Sequence, residues 1–241
     1  MPFVTYAQNF EDLMLFRALK DQDTGFYLDI GAAEPDSHSV TKAFYERGWS
    51  GVNVEVHPWF FSRLSASRPR DVNINAAASD TEGSATFYFV GKNTGLSTLH
   101  TPTAIWHKNQ GREVQQHEVP VTTLAKICEQ HAINKAIHFL KIDVEGNELA
   151  TLRGHDFSRW RPWIVLGEAH DAERTTTAWQ GWEPLLTNNG YKFCYDDGLN
   201  RFYLAAEHHD RLARAFEVPP NVYDDWIAAE HFALLNPLAG R

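Results

Sequence analysis

The stretch LDIGAAEP, residues 28–35, joins a short apolar run to a turn that contains a single glycine. Apart from Asp29, residues 26–30 are apolar, which predicts a buried strand that ends at Ile30. In open α/β sheets the ligand lies beyond the carboxyl ends of the strands, where the strand order reverses. The turn at Gly31 is therefore the first candidate for a ligand contact.

The glycine content of this turn indicates which kind of ligand it takes. A dinucleotide site has the pattern G-x-G-x-x-G, because successive glycines let backbone amides approach a pyrophosphate. Here one glycine is followed by two alanines and the acidic Glu34, which disfavours a phosphate-binding loop and with it a nicotinamide oxidoreductase. A sulfonium cofactor has no phosphate and carries a positive sulfur, so it suits one glycine with carboxylates nearby. We therefore expect Asp29, Gly31 and Ala32 to border S-adenosylmethionine.

Short strands and helices alternate along the chain, which is typical of a mostly parallel sheet with helices on both faces. We predict an α/β, Rossmann-like fold with seven strands and a C-terminal antiparallel hairpin at one sheet edge. The predicted strands are 26–30, 51–55, 72–76, 137–142, 164–168, 191–195 and 201–205, with an additional strand at 85–90. The predicted helices are 8–21, 39–47, 58–65, one that Thr122 or Thr123 caps and that ends at His131, 145–153 and 178–188.

The chain is predicted to be a single domain with three added segments. Its 241 residues, 43% of them apolar, suffice for one substantial core. The additions are an N-terminal helix region at 1–25, a polar loop at 91–117 without clear periodicity, and a C-terminal extension at 207–241. Long loops inside compact domains usually serve a function, and we expect this of loop 91–117.

The composition disfavours several classes of partner and location. The 22 Lys and Arg against 31 Asp and Glu give a formal net charge of -9, which opposes broad contact with a nucleic-acid backbone. The apolar stretches are far shorter than the ~18 residues that a membrane span needs, and the N-terminus lacks the pattern of a secretory signal. We therefore expect a cytoplasmic protein with no integral membrane segment and no nucleic-acid partner.

Polar residues also follow the next two predicted strands. Glu55 ends the second strand 24 positions after Gly31, close to the spacing of about 20 at which an acidic residue accepts both ribose hydroxyls of an adenosine. Val56 follows it, and Ser79 and Asp80 lie just past the third strand, where we expect them to meet the adenine edge. Each of these residues alone could be an ordinary strand end. Their succession along three strands favours a binding site for the adenosine part of the cofactor.

A second polar cluster, KIDVEGNE at residues 141–148, follows the most apolar predicted strand. Charged groups at the end of a buried strand are costly unless they have partners. We expect Asp143 to lie beside Asp29, where the cation of a cofactor offsets their mutual repulsion. Lys141 either takes part in the chemistry or pairs with a nearby acid, and Glu145 either contacts the acceptor or starts and caps the next helix.

The strand that ends at Glu168 is followed by Ala169 and His170. His170 is the candidate general base, because the ordinary pKa of histidine lies near neutrality and its ring can accept a proton from a hydroxyl. The chemistry would be in-line attack on a methyl carbon, with the rate set mainly by positioning. The residues assigned to catalysis are Lys141, Asp143, Glu168 and His170. Two alternatives remain: His170 is structural, or Asp143, Glu168 and His170 bind a Mg or Mn ion.

These segments resemble the FkbM family of methyltransferases over nearly the whole chain. The likeness covers YAQNFED at 6–12, then 26–31, 44–51 and 53–55, ASD at 78–80, GLSTL at 95–99, KIDVEGNE at 141–148 and EAH at 168–170. KIDVEG at 141–146 is the most specific of these segments. The tail, NRFY at 200–203 and PPNVYDD at 219–225, resembles a subgroup associated with bacterial polysaccharide and glycolipid gene clusters.

The resemblance implies transfer of a methyl group from S-adenosylmethionine to a hydroxyl. The implied acceptor is a sugar, a nucleotide-sugar or a glycan of polysaccharide or glycolipid biosynthesis. The alternatives are a non-sugar natural product as acceptor, or a non-catalytic Rossmann-like module that docks a partner. The family likeness also implies that Asn9 and Glu11 enclose the cofactor, and that the acceptor is met by Ser97, Thr98, His100, Asn200 and Arg201.

Overall fold

The computed structural model describes residues 2–170 and 178–235, and within them it is a mixed α/β structure. Its strands, in chain order, are β1 (Phe3–Thr5), β2 (Phe26–Ile30), β3 (Ser50–Val54), β4 (Val72–Ile74), β5 (Ala77–Ala78), β6 (Gly83–Val90), β7 (Val114–Thr122), β8 (Phe139–Ile142), β9 (Ile164–Glu168), β10 (Tyr191–Asp196), β11 (Asn200–Ala205) and β12 (Trp226–Ala228). Its helices are α1 (Glu11–Leu19), α2 (Lys42–Glu46), α3 (Pro58–Ser67), α4 (Thr101–Asn109), α5 (Leu124–His131), α6 (Glu148–Arg153), α7 (Trp179–Asn188), α8 (Ala206–Leu212) and α9 (Ala229–Leu235). Two short 3-10 helices span Ala213–Phe216 and Val222–Asp224.

Seven strands form the central sheet in the order β10-β11-β9-β8-β2-β3-β4. The five strands from β9 to β4 run parallel, whereas β11 is antiparallel to β9 and β10 is antiparallel to β11. Every residue of β2 and β8 is buried, which explains why both strands are so apolar in sequence. The strand order reverses between β2 and β8, so a crevice is expected at their carboxyl ends.

Alternation along the central strands divides the core into two layers. Leu28 of β2 packs in the layer that contains Leu152 of α6 and Trp182 of α7. Its neighbour Tyr27 packs in the opposite layer, with residues of α1, α2 and α8 such as Phe44. Helices therefore cover both faces of the sheet, as the alternating sequence predicts, and the buried apolar area on each face provides most of the driving force for folding.

The segment expected to be a polar loop, residues 91–117, instead contains α4 and the first part of β7. β7 pairs antiparallel with β6 along its whole length and parallel with β5, which gives a separate three-stranded sheet. The sequence pattern misses both elements because α4 buries only Ala104 and His107, while β7 exposes residues 115–118. We call the unit of β5, β6, α4 and β7, residues 77–122, the cap.

The N-terminal strand and the C-terminal extension meet on one side of the molecule. β1 pairs in parallel with β12, and Arg17 of α1 forms an ion pair with Asp224 at 2.5 Å. α1 is shorter than the predicted helix 8–21, because Phe10 at its N-cap adopts the left-handed conformation with φ 63°. Among the described residues, none of the helices has the length and apolarity that crossing a membrane requires.

Candidate functional site

A cavity of about 490 Å³ opens at the carboxyl ends of the central strands. Its wall is formed by the turn after β2 (31–34), residues 54–57 at the end of β3, residues 76–78, residues 93–97 of the cap, the ends of β8 and β9, and Asn200. Small-molecule sites in proteins occupy about 300–1,000 Å³, so the cavity has the size of one. It also lies where the strand order reverses, which is the position that the sequence predicts for a ligand.

Gly31 lies on the wall of this cavity, and the structure gives a specific reason for the absence of a side chain. The residue has φ +78°, and a Cβ added to it would come within 1.8 Å of the Asp143 carbonyl oxygen. Its N–H donates to the Val54 carbonyl at 2.9 Å. The turn is therefore held between the ends of β3 and β8. A glycine is required at position 31 because the residue lies against the backbone of Asp143. The next residue, Ala32, also lines the cavity.

Glu55 is buried at the end of β3 and lies on the cavity wall beside Val56. Its two carboxylate oxygens accept hydrogen bonds from the Ala33 N–H at 2.8 Å and from the His57 N–H at 2.6 Å. Burial raises the pKa of Glu55 to about 7, although these two hydrogen bonds and Lys141 favour the ionised form. The carboxyl group thus holds both turns that border the cavity, and its remaining lone pairs can accept further hydrogen bonds.

Lys141 supplies the positive charge at the centre of the site. Its ammonium lies 3.5 Å from an Asp29 carboxylate oxygen and 3.4 Å from an Asp143 oxygen, and it donates to the Gly31 carbonyl at 2.7 Å. Burial alone would lower the pKa of Lys141, but Asp143 and Asp29 more than offset burial and raise it. The repulsion between the two carboxylates is therefore relieved by a side chain of the protein, where the sequence suggested a cofactor. Asp29 itself is buried behind the wall, where it accepts from the Thr41 hydroxyl.

The turn after β8 differs from the prediction that a helix begins at Glu145. Glu145 and Gly146 adopt left-handed conformations, with φ 53° and 97°, and α6 begins only at Glu148. One carboxylate oxygen of Glu148 accepts from the N–H groups of Val144 and Gly146, each at 3.1 Å. Glu145 therefore neither starts nor caps α6, Glu148 holds the turn that precedes the helix, and Glu145 lines the cavity.

Three carboxylates meet at one end of the cavity. Asp143, Glu145 and Glu168 each place an oxygen within 4.8 Å of the other two. Burial, reinforced by Asp143 and Glu148, raises the pKa of Glu145 to about 8, and burial with the charge of Asp143 raises the pKa of Glu168 well above its usual range. Such a group could bind a divalent cation or share protons. Glu145, and not His170, completes this set among the described residues.

Besides Asp29, the structure leaves three more of the residues predicted at the strand ends off the cavity wall. His170 is half-buried just past Glu168, and residues 171–177, which follow it, lie outside the described part of the chain. Ser79 and Asp80 also lie off the wall, because the chain after β4 enters the cap, where the Ser79 N–H donates to the Thr122 carbonyl. Residues 76–78 line the cavity in their place.

The residues implied by the family likeness divide into two groups. Glu11, Ser97 and Asn200 line the cavity, and the Asn200 amide donates to the Glu11 carboxylate at 3.0 Å. The other four lie off the wall. Asn9 donates to the Asp197 carbonyl, and Thr98 is buried within the cap. His100 is exposed and forms a hydrogen bond with Thr103, whereas Arg201 forms an ion pair with Glu183 and stacks on Trp179.

The wall also has an aromatic and apolar part that was not predicted from the sequence. His57, Phe60, Phe87 and Leu99 all line the cavity. The rings of His57 and Phe60 lie 5.1 Å apart, and both residues follow the predicted ribose carboxylate Glu55. Phe87 and Leu99 come from the cap, which the sequence did not predict as a unit. The position of His57 and Phe60 after the second strand was the signal that could have identified them.

Comparisons with known proteins show the family to which the chain belongs. The model of the methyltransferase FkbM domain matches residues 29–193. A solved structure of methyltransferase FkbM from Methylobacillus flagellatus KT is similar at 16% sequence identity and a TM-score of 0.49, over 76% of this chain and 44% of that one. This chain thus spans less than half of the length of that protein, and no curated protein matches it. The family model covers more than half of the 241 residues, including the strand ends that build the cavity, and the chain belongs to the FkbM methyltransferase family.

Proposed function

We propose that this chain transfers the methyl group of S-adenosylmethionine to a hydroxyl of a sugar or glycan acceptor. Membership of the FkbM family supports methyl transfer as the reaction. The observation that carries the choice of cofactor is the cavity between β2 and β3, with one glycine at its turn and a buried carboxylate at the end of the second strand. A seven-stranded Rossmann-like arrangement is the architecture that the proposal assumes.

The cofactor is proposed to extend along the wall from the aromatic end to the carboxylates. Its adenine would contact the apolar side chains near Val56 and Phe60, and its ribose hydroxyls would meet Glu55. Its methionine end would lie against Gly31 and Ala32, with Glu11 nearby. This direction brings the positive sulfur toward Asp143, in the most acidic part of the cavity.

The acceptor is proposed to enter from the side of Ser97, Glu145 and Asn200. Its hydroxyl oxygen attacks the methyl carbon, a new C–O bond forms, and the C–S bond breaks with its electron pair left on the sulfur. The hydroxyl proton passes to an ionised carboxylate of the cluster of Asp143, Glu145 and Glu168, which lies on the cavity wall, whereas His170 does not. The mixture of hydroxyl, amide and carboxylate groups on this side suits a polyol such as a sugar.

Binding of S-adenosylhomocysteine is the first test of the proposed function. Titration calorimetry should show micromolar binding to the wild-type protein, whereas NAD should give no heat. Glu55→Gln should weaken binding of S-adenosylhomocysteine at least about tenfold, because the amide cannot accept from both the Ala33 and His57 N–H groups. Glu118→Gln, a change at an exposed carboxylate of β7, is the matched control and should leave affinity unchanged. Absence of heat with the wild-type protein would refute the proposal.

Removal of divalent metal should leave methyl transfer unchanged. Lys141 already balances the charge of Asp143, and the raised pKa values of Glu145 and Glu168 let these groups hold protons, so no cation is needed to assemble the cluster. The measurement is turnover of labelled S-adenosylmethionine, with the acceptor found in a screen of sugars and nucleotide-sugars, before and after EDTA. Loss of turnover that magnesium restores would instead assign the three carboxylates to a metal site.

A further inference from the structure

Thr98 differs from a surface loop residue because it is buried, and from a substrate contact because it lies off the cavity wall. Its side chain is completely buried, and it lies off the cavity wall although its neighbours Ser97 and Leu99 are on that wall. Its backbone N–H and carbonyl form a bridge with Tyr88 of β6, which fixes it within the cap. The direction of its side chain is therefore set by the cap sheet.

The hydroxyl of Thr98 connects the cap to the turn after β8. It donates to the Glu145 carbonyl at 2.7 Å and accepts from the His100 N–H at 2.8 Å. Both hydrogen-bonding functions of the hydroxyl are thus used, and the Thr98 and Glu145 residues are 47 positions apart in the chain. A buried hydroxyl with two such partners holds its partners in one arrangement.

The turn that Thr98 contacts has a backbone conformation that needs support. Glu145 is left-handed at φ 53°, which an L-residue with a long side chain rarely adopts without compensating contacts. Glu148 fixes the N–H groups of Val144 and Gly146 on one side of this turn. Thr98 fixes the carbonyl of Glu145 on the other side. The two contacts together hold the backbone from which the Glu145 side chain extends.

That carboxylate lies in the cavity, within 4.8 Å of those of Asp143 and Glu168. The cap segment that ends at Thr98 lines the same cavity through residues 93–97. A Cβ on Gly146 would come within 3.0 Å of side-chain atoms of His100 and Thr103, so the turn and the cap are packed directly against each other. Movement of the cap segment would therefore move the turn.

We propose that Thr98 is a positioning residue, which couples the acceptor-side segment of the cap to the Glu145 carboxylate through the Glu145 carbonyl. This inference rests on the proposed function in one respect: it takes methyl transfer as the reaction. Thr98 contacts neither cofactor nor acceptor in this assignment. It acts by holding the turn so that the Glu145 carboxylate remains beside the other two acids.

The test compares Thr98→Val, which removes the hydroxyl but keeps the shape, with Thr98→Ser, which keeps the hydroxyl. Thr86→Val, at an exposed position of β6, is the matched control. Hydrogen exchange of the peptide 143–149 is measured in each protein, together with affinity for S-adenosylhomocysteine. Thr98→Val should speed exchange of the Val144 and Gly146 amides about tenfold, with Thr98→Ser close to wild type and the affinity within about threefold in all variants.

Turnover gives a second, independent measurement with labelled S-adenosylmethionine and a mixture of glucose, mannose, rhamnose and their nucleotide-sugars. Thr98→Val should lower kcat up to about a hundredfold with little change in KM for the cofactor, and Thr98→Ser should restore it. Unchanged exchange in Thr98→Val, or equal effects of valine and serine, would overturn the role of Thr98. Failure of the wild-type protein to bind S-adenosylhomocysteine would overturn the proposed function and leave the exchange result valid.

Discussion

Gly31→Ala should abolish binding of S-adenosylhomocysteine and lower the free energy of unfolding by at least ~3 kcal/mol. The new Cβ would lie 1.8 Å from the Asp143 carbonyl oxygen and 2.9 Å from its carbonyl carbon. Both atoms belong to a backbone at the end of a buried strand, so no side chain can rotate away. The turn and the end of β8 must separate, and that movement opens the cavity wall between Gly31 and Asp143.

A control variant separates the strain of a left-handed alanine from the steric clash with Asp143. Gly111 has φ +79°, close to that of Gly31, and a Cβ there would meet nothing within 4 Å. Gly111→Ala should therefore cost only the strain of a left-handed alanine, about 1 kcal/mol. Urea denaturation of both variants measures the difference, and calorimetry measures their affinities for S-adenosylhomocysteine. Equal loss of stability in the two variants would show that the contact with Asp143 does not control the turn.

The placement of the main acidic residues could be predicted from the sequence because the central strands are parallel and buried. Such strands appear as short apolar runs, and their carboxyl ends must lie on the same edge of the sheet. Glu55, Asp143 and Glu168 each end or directly follow a predicted strand, and all three line the cavity. Their mutual proximity follows from topology and requires no knowledge of side-chain contacts.

The residues beyond those strand ends could not be placed in the same way. Ser79 and Asp80 were predicted to meet adenine, but β4 is only three residues long and the chain then enters β5 of the cap. β5 pairs with β7, which is about forty residues further along the chain and mostly exposed, so its pattern gives no apolar signal. The path of the chain after β4 is set by that long-range pairing, which carries these two residues off the cavity wall.

The direction of side chains in irregular segments also could not be predicted from the sequence. The family likeness implies that Ser97 and Thr98 meet the acceptor, but the bridge between Thr98 and Tyr88 accompanies an arrangement in which Ser97 lines the cavity and Thr98 bonds the turn after β8. Similarly, the run KIDVEGNE suggests a helix from Glu145, whereas the left-handed conformations of Glu145 and Gly146 delay the helix to Glu148. Such local conformations depend on partners distant in sequence.

Lys141→Met should also be strongly destabilising, with a loss of about 3–5 kcal/mol in the free energy of unfolding. The change removes the ammonium that lies 3.5 Å from Asp29 and 3.4 Å from Asp143, while an apolar side chain of similar length fills the space. The nearby Asp29 oxygen accepts no hydrogen bond from the described residues, so it would be left buried without a balancing charge. The Gly31 carbonyl would also lose its donor.

The pH dependence of this loss follows from the pKa of Lys141. The two carboxylates raise that pKa in the folded protein, so the stabilisation is fully present below the unfolded value of 10.5 and is lost only as the pH rises through the folded value. The difference in stability between wild type and Lys141→Met should therefore persist to pH 9, and it should grow as the pH rises from about 7, because Lys141 favours the ionised forms of Glu55 and Glu145. Lys126→Met, which removes a surface ion pair with Glu129, is the matched control and should cost about 1 kcal/mol or less.

The same variant reports on the position of the cofactor's charge. If the sulfonium lies beside Asp143 and the buried acids, it supplies part of the positive charge that Lys141→Met removes. S-adenosylmethionine should then raise the melting temperature of Lys141→Met more than S-adenosylhomocysteine does, whereas the wild-type protein should respond almost equally to both. Thermal shift measurements at saturating concentrations of each ligand decide the point. An equal response of the variant to the two ligands would place the sulfur away from this cluster and reverse the proposed direction of the cofactor along the cavity.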